Sequence, residues 1–139
     1  MKHEFNNEKE LQKLGIESTP VRQAILHIIE EYKVPVDVAS ISLSLEKHKI
    51  KADKVTIYRT LDLLSEKGLL SRLEFQEGKF RYELVKSDHH HLICTNCGKI
   101  DAIEDTWIED LKKEIKKKKK FLVQRHSMEF YGLCSDCQK

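Results

Sequence analysis

The sequence predicts an α+β protein in two parts, a helical first half that ends in a β-hairpin and a mixed second half that holds every cysteine. Apolar residues in the first half recur at helical spacing, until two alternating segments flank a glycine-containing turn. A histidine-rich segment then opens the second half, which two Cys-x-x-Cys pairs bracket. The 139 residues are 40% hydrophobic and 35% charged, which is enough apolar material for a modest core and excludes a disordered chain.

The first half predicts four helices. Gly15 ends the first, and Thr19 followed by Pro20 resembles an N-cap with proline at the first helical position of the second. Asp37 is the expected cap of the third helix, and Gly68 ends the fourth. The broad apolar side of the fourth helix is predicted to consist of Val55, Ile57, Tyr58, Leu61, Leu63 and Leu64.

A β-hairpin is predicted next, because residues 69–75 and 79–85 flank the turn Gln76-Glu77-Gly78. The order helix, helix, short link, helix, hairpin is typical of the winged helix-turn-helix, whose last helix enters the major groove of DNA. Residues 1–85 are therefore predicted to form a winged-helix DNA-binding domain, with the hairpin as its wing.

Basic residues concentrate before and at the start of the fourth helix, although the net charge of the whole chain is only +2. Phosphate contacts are expected there, and Thr56, Tyr58 and Arg59 could reach base edges or sugars. An ordinary solvated loop before a helix explains the same charges. The basic residues are Lys47, Lys49, Lys51, Lys54 and Arg59, against one acid, Asp53.

The second half, residues 86–139, is predicted to be a small α/β domain. A strand leads into the knuckle at residues 94–98, a second strand covers residues 99–103, and Asp105 or Thr106 caps a helix that begins near Trp107. Residues 121–123 and 128–133 alternate enough to be strands. The lysine run at residues 116–120 is interpreted as a solvated helix end rather than as a nucleic-acid patch.

The four cysteines predict a structural zinc site, because two Cys-x-x-Cys turns supply four thiolates to a tetrahedral ion. No secretory signal is visible, so we expect the chain in the cytoplasm, where thiols stay reduced. The alternative is a thioredoxin-like redox dithiol, which requires one Cys-x-x-Cys pair at the start of a helix. The cysteines are Cys94, Cys97, Cys134 and Cys137.

Three consecutive histidines precede the knuckle. Strand alternation would send His89 and His91 to one side and His90 to the other, which suits two adjacent metal sites; a solvated linker is the alternative. Mixed nitrogen and oxygen donors suit iron, manganese, zinc or cobalt. Further candidate donors are Glu83, Asp88, Asp101, Glu104, Glu109 and His126. Phosphate-binding, dinucleotide and nucleophile-elbow motifs are missing, so no enzyme is predicted.

Several motifs together resemble the ferric uptake regulator family over about residues 11–137. They are VTIYRTL at 55–61, EKGL at 66–69, HLICTNCGK at 91–99, HS at 126–127 and YGLCSDC at 131–137. The resemblance implies a homodimeric, metal-responsive repressor of metal-uptake genes, without a membrane partner or a small organic substrate. Its N-terminal winged helix would bind palindromic operators, and residues 86–139 would bind metal and dimerise.

The resemblance also implies roles for individual residues. The cysteines would hold structural Zn²⁺, and Lys13, Arg22, Tyr58 and Arg59 would contact DNA. A second divalent metal, Fe²⁺, Zn²⁺ or Mn²⁺, would bind a regulatory site of Glu83, His89 and His91. Asp88, His90, Glu109 and His126 would form a further metal site.

Two regulatory positions depart from the family pattern. The family's histidine after the second helix falls at Val34, and its acid after the knuckle falls at Ala102. Glu104 would keep the strand face of the lost acid, whereas Asp101 would need a shifted register. The regulatory site is thus expected to be rebuilt or to have fewer ligands.

Three alternatives stay open at this point. The chain could be a zinc-sensing or peroxide-sensing member of the same family. It could instead be a metal buffer that binds no DNA, or a redox enzyme that uses the cysteine pairs.

Overall fold

The computed structural model describes residues 7–85, 89–104 and 107–139. These described residues fall into two compact units, Met1–Val85 and Lys86–Lys139. Every helix within them is too short or too polar to cross a membrane. The mixture of helix and strand confirms the predicted α+β class.

The N-terminal unit is mainly helical, and side-chain caps start three of its helices. Thr19, Asp37 and Asp53 each accept a hydrogen bond from the backbone N–H three residues later, at 3.2, 2.8 and 2.8 Å. The caps at Thr19 and Asp37 confirm the predicted helix starts. The helices are α1 (Asn7–Lys13), α2 (Pro20–Glu31), α3 (Val38–Lys47) and α4 (Lys54–Glu66).

The predicted hairpin is present as an antiparallel pair, joined by a short strand that the sequence did not predict. The strands are β1 (Val36–Asp37), β2 (Leu70–Glu74) and β3 (Phe80–Leu84), in the sheet order β1-β3-β2. Gly78 in the turn has a φ of 77°, which favours glycine. Together with α2, α3 and α4, this hairpin completes a winged helix-turn-helix.

The apolar side of α4 is narrower than predicted. Ile57, Leu61 and Leu64 have no exposed surface and lie in the core of the unit. Val55 and Tyr58, which were predicted on the same side, are 54% and 48% exposed, so that prediction was wrong. At 3.6 residues per turn, one stripe of the helix faces the core, and these two positions lie outside it.

The C-terminal unit is built on a mixed sheet with strand order β5-β4-β6, in which β4 pairs antiparallel with β5 and parallel with β6. The chain reaches the parallel strand through α5, because parallel neighbours need a long crossover. The elements are β4 (His89–Cys94), β5 (Ile100–Glu104), α5 (Trp107–Lys119), β6 (Glu129–Gly132) and a 3₁₀ turn (Ser135–Gln138).

The strand predicted at residues 121–123 is wrong. Residues 121–128 have no regular secondary structure, and Phe121 and Leu122 are 61% and 66% exposed. The segment follows Lys120, whose φ of 53° turns the chain out of α5. The predicted strand at 128–133 corresponds to β6. The predicted cap at Asp105 or Thr106 lies outside the described residues.

Candidate metal centre and nucleic-acid interface

The four cysteine sulfurs converge on one point at the end of β4. Their Sγ atoms all lie within 4.8 Å of one another, and the Cys97 and Cys134 sulfurs are 3.7 Å apart. Zinc–sulfur bonds of about 2.3 Å in a tetrahedron place sulfurs about 3.8 Å apart, whereas a disulfide needs about 2.05 Å. The spacing therefore fits four thiolates around one zinc ion and does not fit a disulfide.

Backbone amides are aimed at the Cys94 sulfur. The N–H groups of Cys97 and Cys134 donate to it over 3.5 and 3.4 Å, and these hydrogen bonds lower the pKa of Cys94 to about 6. Such N–H···S contacts stabilise the negative thiolate form that binds metal. Cys94 is thus prepared to ionise at neutral pH.

Two of the other thiols, Cys97 and Cys137, have a raised pKa and resist ionisation without a cation. A hydrogen bond from Asn96, 3.2 Å from the Cys137 sulfur, lowers the pKa of Cys137, but the neighbouring Cys134 and burial raise it more, to about 11. Close thiols hold a shared charge poorly, because like charges repel. A divalent cation removes this cost, so the donor set fits a structural zinc ion.

The candidate residues of the further metal site lie partly together. The His90 ring is 1% exposed and lies 5.5 Å from the His126 ring and 5.6 Å from the ring of Trp107, between centroids. Glu109 is on α5, where its carboxylate lies 3.4 Å from the Lys112 ammonium. Asp88 lies outside the described residues. The structure therefore brings His90 and His126 close, and it adds the chain's single tryptophan to their surroundings.

Strand register sorts the regulatory candidates of the C-terminal unit. His89 pairs with Glu104 and His91 pairs with Ala102, whereas Asp101 pairs with Leu92. Paired residues share a sheet face and neighbours along a strand alternate, so Asp101 lies on the face opposite to His91. The shifted register that Asp101 would need is not seen in the described pairing of β4 with β5.

One acidic residue on the sheet face of His91 was not among the ligands predicted from the sequence. Glu129, the first residue of β6, pairs with His91 across the parallel ladder and is half-buried. Nothing local in the sequence signals this, because it depends on which strand lies beside β4. The remaining regulatory candidate, Glu83, lies in the N-terminal unit, half-buried on β3 opposite Ser71.

The candidate DNA-contacting residues lie on the exposed side of α4 and at two helix ends. Lys54, Thr56, Tyr58 and Arg59 are all exposed on the first turns of α4. Lys13 is an exposed residue at the end of α1. Arg22 lies in the first turn of α2, where its guanidinium donates to the Glu17 carbonyl at 2.7 Å.

The ferric uptake regulator family model matches residues 13–131. The ferric uptake regulation protein of Bordetella parapertussis is 33% identical over 137 residues, covering 97% of this chain and 99% of that protein. The protein of the same name from Neisseria meningitidis is 35% identical over 139 residues, with coverage of 96% and 94%. The peroxide operon regulator of Bacillus subtilis is 31% identical over 138 residues, with coverage of 99% and 95%.

Solved structures agree with these relatives. The Vibrio cholerae ferric uptake regulator, in which rearranged DNA-binding domains are described, superposes with a TM-score of 0.80 at 28% identity, covering 93% of this chain and 100% of that one. The Helicobacter pylori ferric uptake regulator, described with three functional metal-binding sites, gives 0.80 at 26% identity, with coverage of 95% and 89%. The family match spans most of the sequence, and relatives above 30% identity cover nearly all of it. The chain therefore belongs to the ferric uptake regulator family of metal-responsive transcriptional regulators.

Proposed function

We propose that this chain represses genes by binding palindromic operators as a metal-loaded homodimer. Residues 1–85 read DNA, and residues 86–139 bind metal and dimerise. The carrying observation is the division of α4 into a fully buried stripe and an exposed face with cationic and hydrogen-bonding side chains.

The exposed face of α4 has the chemistry of a recognition helix. Arg59 and Tyr58 present a bidentate donor and a hydroxyl where base edges would lie, and Lys54 opens the helix as a phosphate contact. Buried Ile57 and Leu61 anchor the opposite side, so the reading face is presented by a rigid element. Lys13 and Arg22 supply further phosphate contacts.

Metal is assigned to three places. Zn²⁺ at Cys94, Cys97, Cys134 and Cys137 is structural, because the four-thiolate set leaves no open position for an exchanging ligand. The regulatory divalent metal, Fe²⁺, Zn²⁺ or Mn²⁺, uses donors among Glu83, His89, His91 and Glu104. The Helicobacter pylori relative, with its three metal sites, supports a further site here at Asp88, His90, Glu109 and His126.

The second copy of the chain is expected on the face of the C-terminal sheet that carries Leu92, Phe130 and Asp101. Leu92 and Phe130 are paired across β4 and β6 and are 36% and 46% exposed, and with Leu133 they line an open cavity of about 360 Å³. Exposed apolar surface of this kind marks an association site. We place the dimer in the cytoplasm, where the cysteines stay reduced.

The regulatory step is a shift between conformations. Metal stabilises the dimer geometry in which two recognition helices reach successive major grooves, about 34 Å apart, and metal loss releases it. Because phosphate contacts release counterions, operator affinity should fall steeply with salt.

The test is a mobility-shift assay with DNA duplexes that the Mn²⁺-loaded protein selects from a random library. We expect a retarded dimer complex that needs metal, and a loss of about 10-fold or more for Arg59→Ala, since a bidentate base contact contributes about 1–3 kcal/mol. Arg125→Ala, which removes the same charge from the C-terminal unit, is the matched control. Absence of any shift with Mn²⁺, Fe²⁺ or Zn²⁺ would favour the metal-buffer alternative and overturn the proposal.

The peroxide-sensing alternative has its own support in the Bacillus subtilis relative and in the Campylobacter jejuni peroxide stress regulator, which superposes with a TM-score of 0.74 at 25% identity. In such a sensor, peroxide added to the Fe²⁺-loaded protein should abolish DNA binding. The Mn²⁺-loaded protein is the control, and an equal response of both forms would count against this alternative.

A further inference from the structure

The two strands beside β4 give His91 chemically different neighbours. On the β5 side its partner is Ala102, which has no donor atom, and on the β6 side its partner is Glu129. Neighbouring strands lie roughly 4.8 Å apart, so residues paired across the ladder on either side of His91 are close enough to share one ion. The acid that the family pattern places at Ala102 is thus absent on one side of the histidine, and a carboxylate stands on the other.

We propose that Glu129 is a ligand of the regulatory metal at His91, and that it supplies from β6 the carboxylate that β5 lacks. This inference rests on the proposed function, because it names a residue of the regulatory site. The imidazole of His91 is 6% exposed, and Glu129 is half-buried beside it. One imidazole nitrogen and one carboxylate oxygen on the same face are donors that Fe²⁺, Mn²⁺, Co²⁺ and Zn²⁺ accept.

The Glu129 carboxylate is positioned by Ser127, which lies two residues earlier, just before β6 begins. The hydroxyl of Ser127 lies 3.0 and 3.1 Å from the two carboxylate oxygens, in hydrogen-bond range of both. An ionised carboxylate has about four lone-pair sites, so a hydroxyl contact leaves acceptor capacity for a cation. A hydrogen-bonded ligand of this kind is typical of protein metal sites.

Other acids of the sheet fit the place beside His91 less well. Glu104 pairs with His89 and lies two residues along β5 from Ala102, roughly 7 Å away at the rise of a strand. Asp101 lies on the opposite face, and its Oδ1 accepts the Ala102 N–H at 2.8 Å. Glu129 is therefore the acid that the register brings directly beside His91.

The test compares Co²⁺ binding by zinc-replete proteins, so that the cysteine site is filled before titration. Affinity is measured by competition with a chromophoric chelator, and the ligand-field absorption of Co²⁺ reports its donor set. The variants are Glu129→Gln, which keeps size and removes the charged donor, and the double variant Glu129→Gln with Ala102→Glu, which moves the carboxylate to the other neighbour of His91. Glu114→Gln is the matched control, since Glu114 is an exposed acid of α5 that pairs with Lys118 at 2.7 Å.

We expect Glu129→Gln to weaken Co²⁺ binding at the regulatory site by at least about 10-fold and to change the ligand-field spectrum. The double variant should recover both, and Glu114→Gln should match the wild type. Emission from Trp107 serves as an internal control, because this ring lies 5.6 Å from the His90 ring, and His90 is on the sheet face opposite to His91. Its Co²⁺ titration should not change in Glu129→Gln.

Three results would overturn the inference. They are wild-type affinity in Glu129→Gln, a weakened affinity with an unchanged ligand-field spectrum, or a double variant that binds no better than Glu129→Gln. Failure of the proposed function looks different: the wild type itself would then bind no Co²⁺ beyond its zinc, or would bind no DNA when loaded.

Discussion

The Lys79 ammonium on the wing lies 2.6 Å from the Asp37 carboxylate, which also caps α3. Burial raises the pKa of Asp37, but hydrogen bonds from Lys79 and Ser40 and the charge of Lys79 outweigh it and hold that pKa well below its usual range. One carboxylate thus joins the hairpin to the helix that precedes α4.

Removing this carboxylate should loosen the N-terminal unit in a pH-dependent way. The folded pKa lies below the unfolded value of about 3.9, so the stabilisation is complete above that pH and is lost as pH falls towards the folded pKa. We expect Asp37→Ala to cost about 1–2 kcal/mol at neutral pH, with a smaller deficit in acid, whereas Asp37→Asn should cost less because asparagine also caps. Hydrogen exchange of the α3 amides measures this difference. Asp62→Asn, at an exposed site of α4, is the control, and a deficit that does not shrink in acid would contradict the assignment.

Truncating two β-branched side chains of α4, Ile57 and Val55, should have very different effects on the free energy of unfolding. Ile57→Ala removes a side chain with no exposed surface and should cost about 2–5 kcal/mol of unfolding free energy. Val55→Ala removes one that is 54% exposed and should change stability by less than about 0.5 kcal/mol. Urea unfolding followed by far-UV circular dichroism checks both. Equal effects would mean that α4 is rotated relative to the structure described above.

Loss of the zinc ion should unfold the C-terminal unit. Structural zinc supplies an apparent free energy of about 10–16 kcal/mol, which is more than a unit of this size obtains from its core. Cys94→Ser should therefore lose zinc and shift Trp107 emission to longer wavelength. Cys137→His is the matched control, because three cysteines and one histidine still form a tetrahedral zinc site. A zinc-free Cys94→Ser protein with native Trp107 emission would exclude the structural role.

Metal binding near His90 should be visible without a label. The Trp107 ring lies 5.6 Å from the His90 ring, so Co²⁺ bound there should quench the chain's single tryptophan. His126→Ala, which removes the second ring of the cluster, should abolish the quenching. His27→Ala is the control, since the His27 Nε2 lies on α2, 3.1 Å from the Glu31 carboxylate. Quenching that persists in His126→Ala would place the ion elsewhere.

Local chemistry was enough to predict most of the N-terminal unit. Thr19 with Pro20 and Asp37 marked helix starts that the structure confirms, and the turn before β3 was recognised from Gly78. These signals depend on residues within one helical turn or one hairpin. Sequence reasoning placed Tyr58 both on the apolar side of α4 and among the candidate DNA contacts, because an aromatic residue on a helix counts as apolar until its orientation to the core is known. The structure shows it exposed.

Long-range pairing set the limit in the C-terminal unit. The cysteine cluster was predicted because each Cys-x-x-Cys turn directs its two sulfurs to one point, whatever the surrounding fold. The strand at 121–123 was wrong, because alternation over three residues does not provide a neighbouring strand. Glu129 was missed for the complementary reason, since its place beside His91 depends on β6 running parallel to β4.

The same parallel pairing has a consequence for synthesis on the ribosome. The N-terminal unit is formed by a continuous stretch that ends at Val85, and domains fold as units from the N-terminus while translation proceeds. The C-terminal sheet is complete only once β6 has been made. The four-cysteine cluster is complete only when Cys137 has left the ribosome. A nascent chain therefore completes the winged helix before it completes the C-terminal sheet and the four-cysteine cluster.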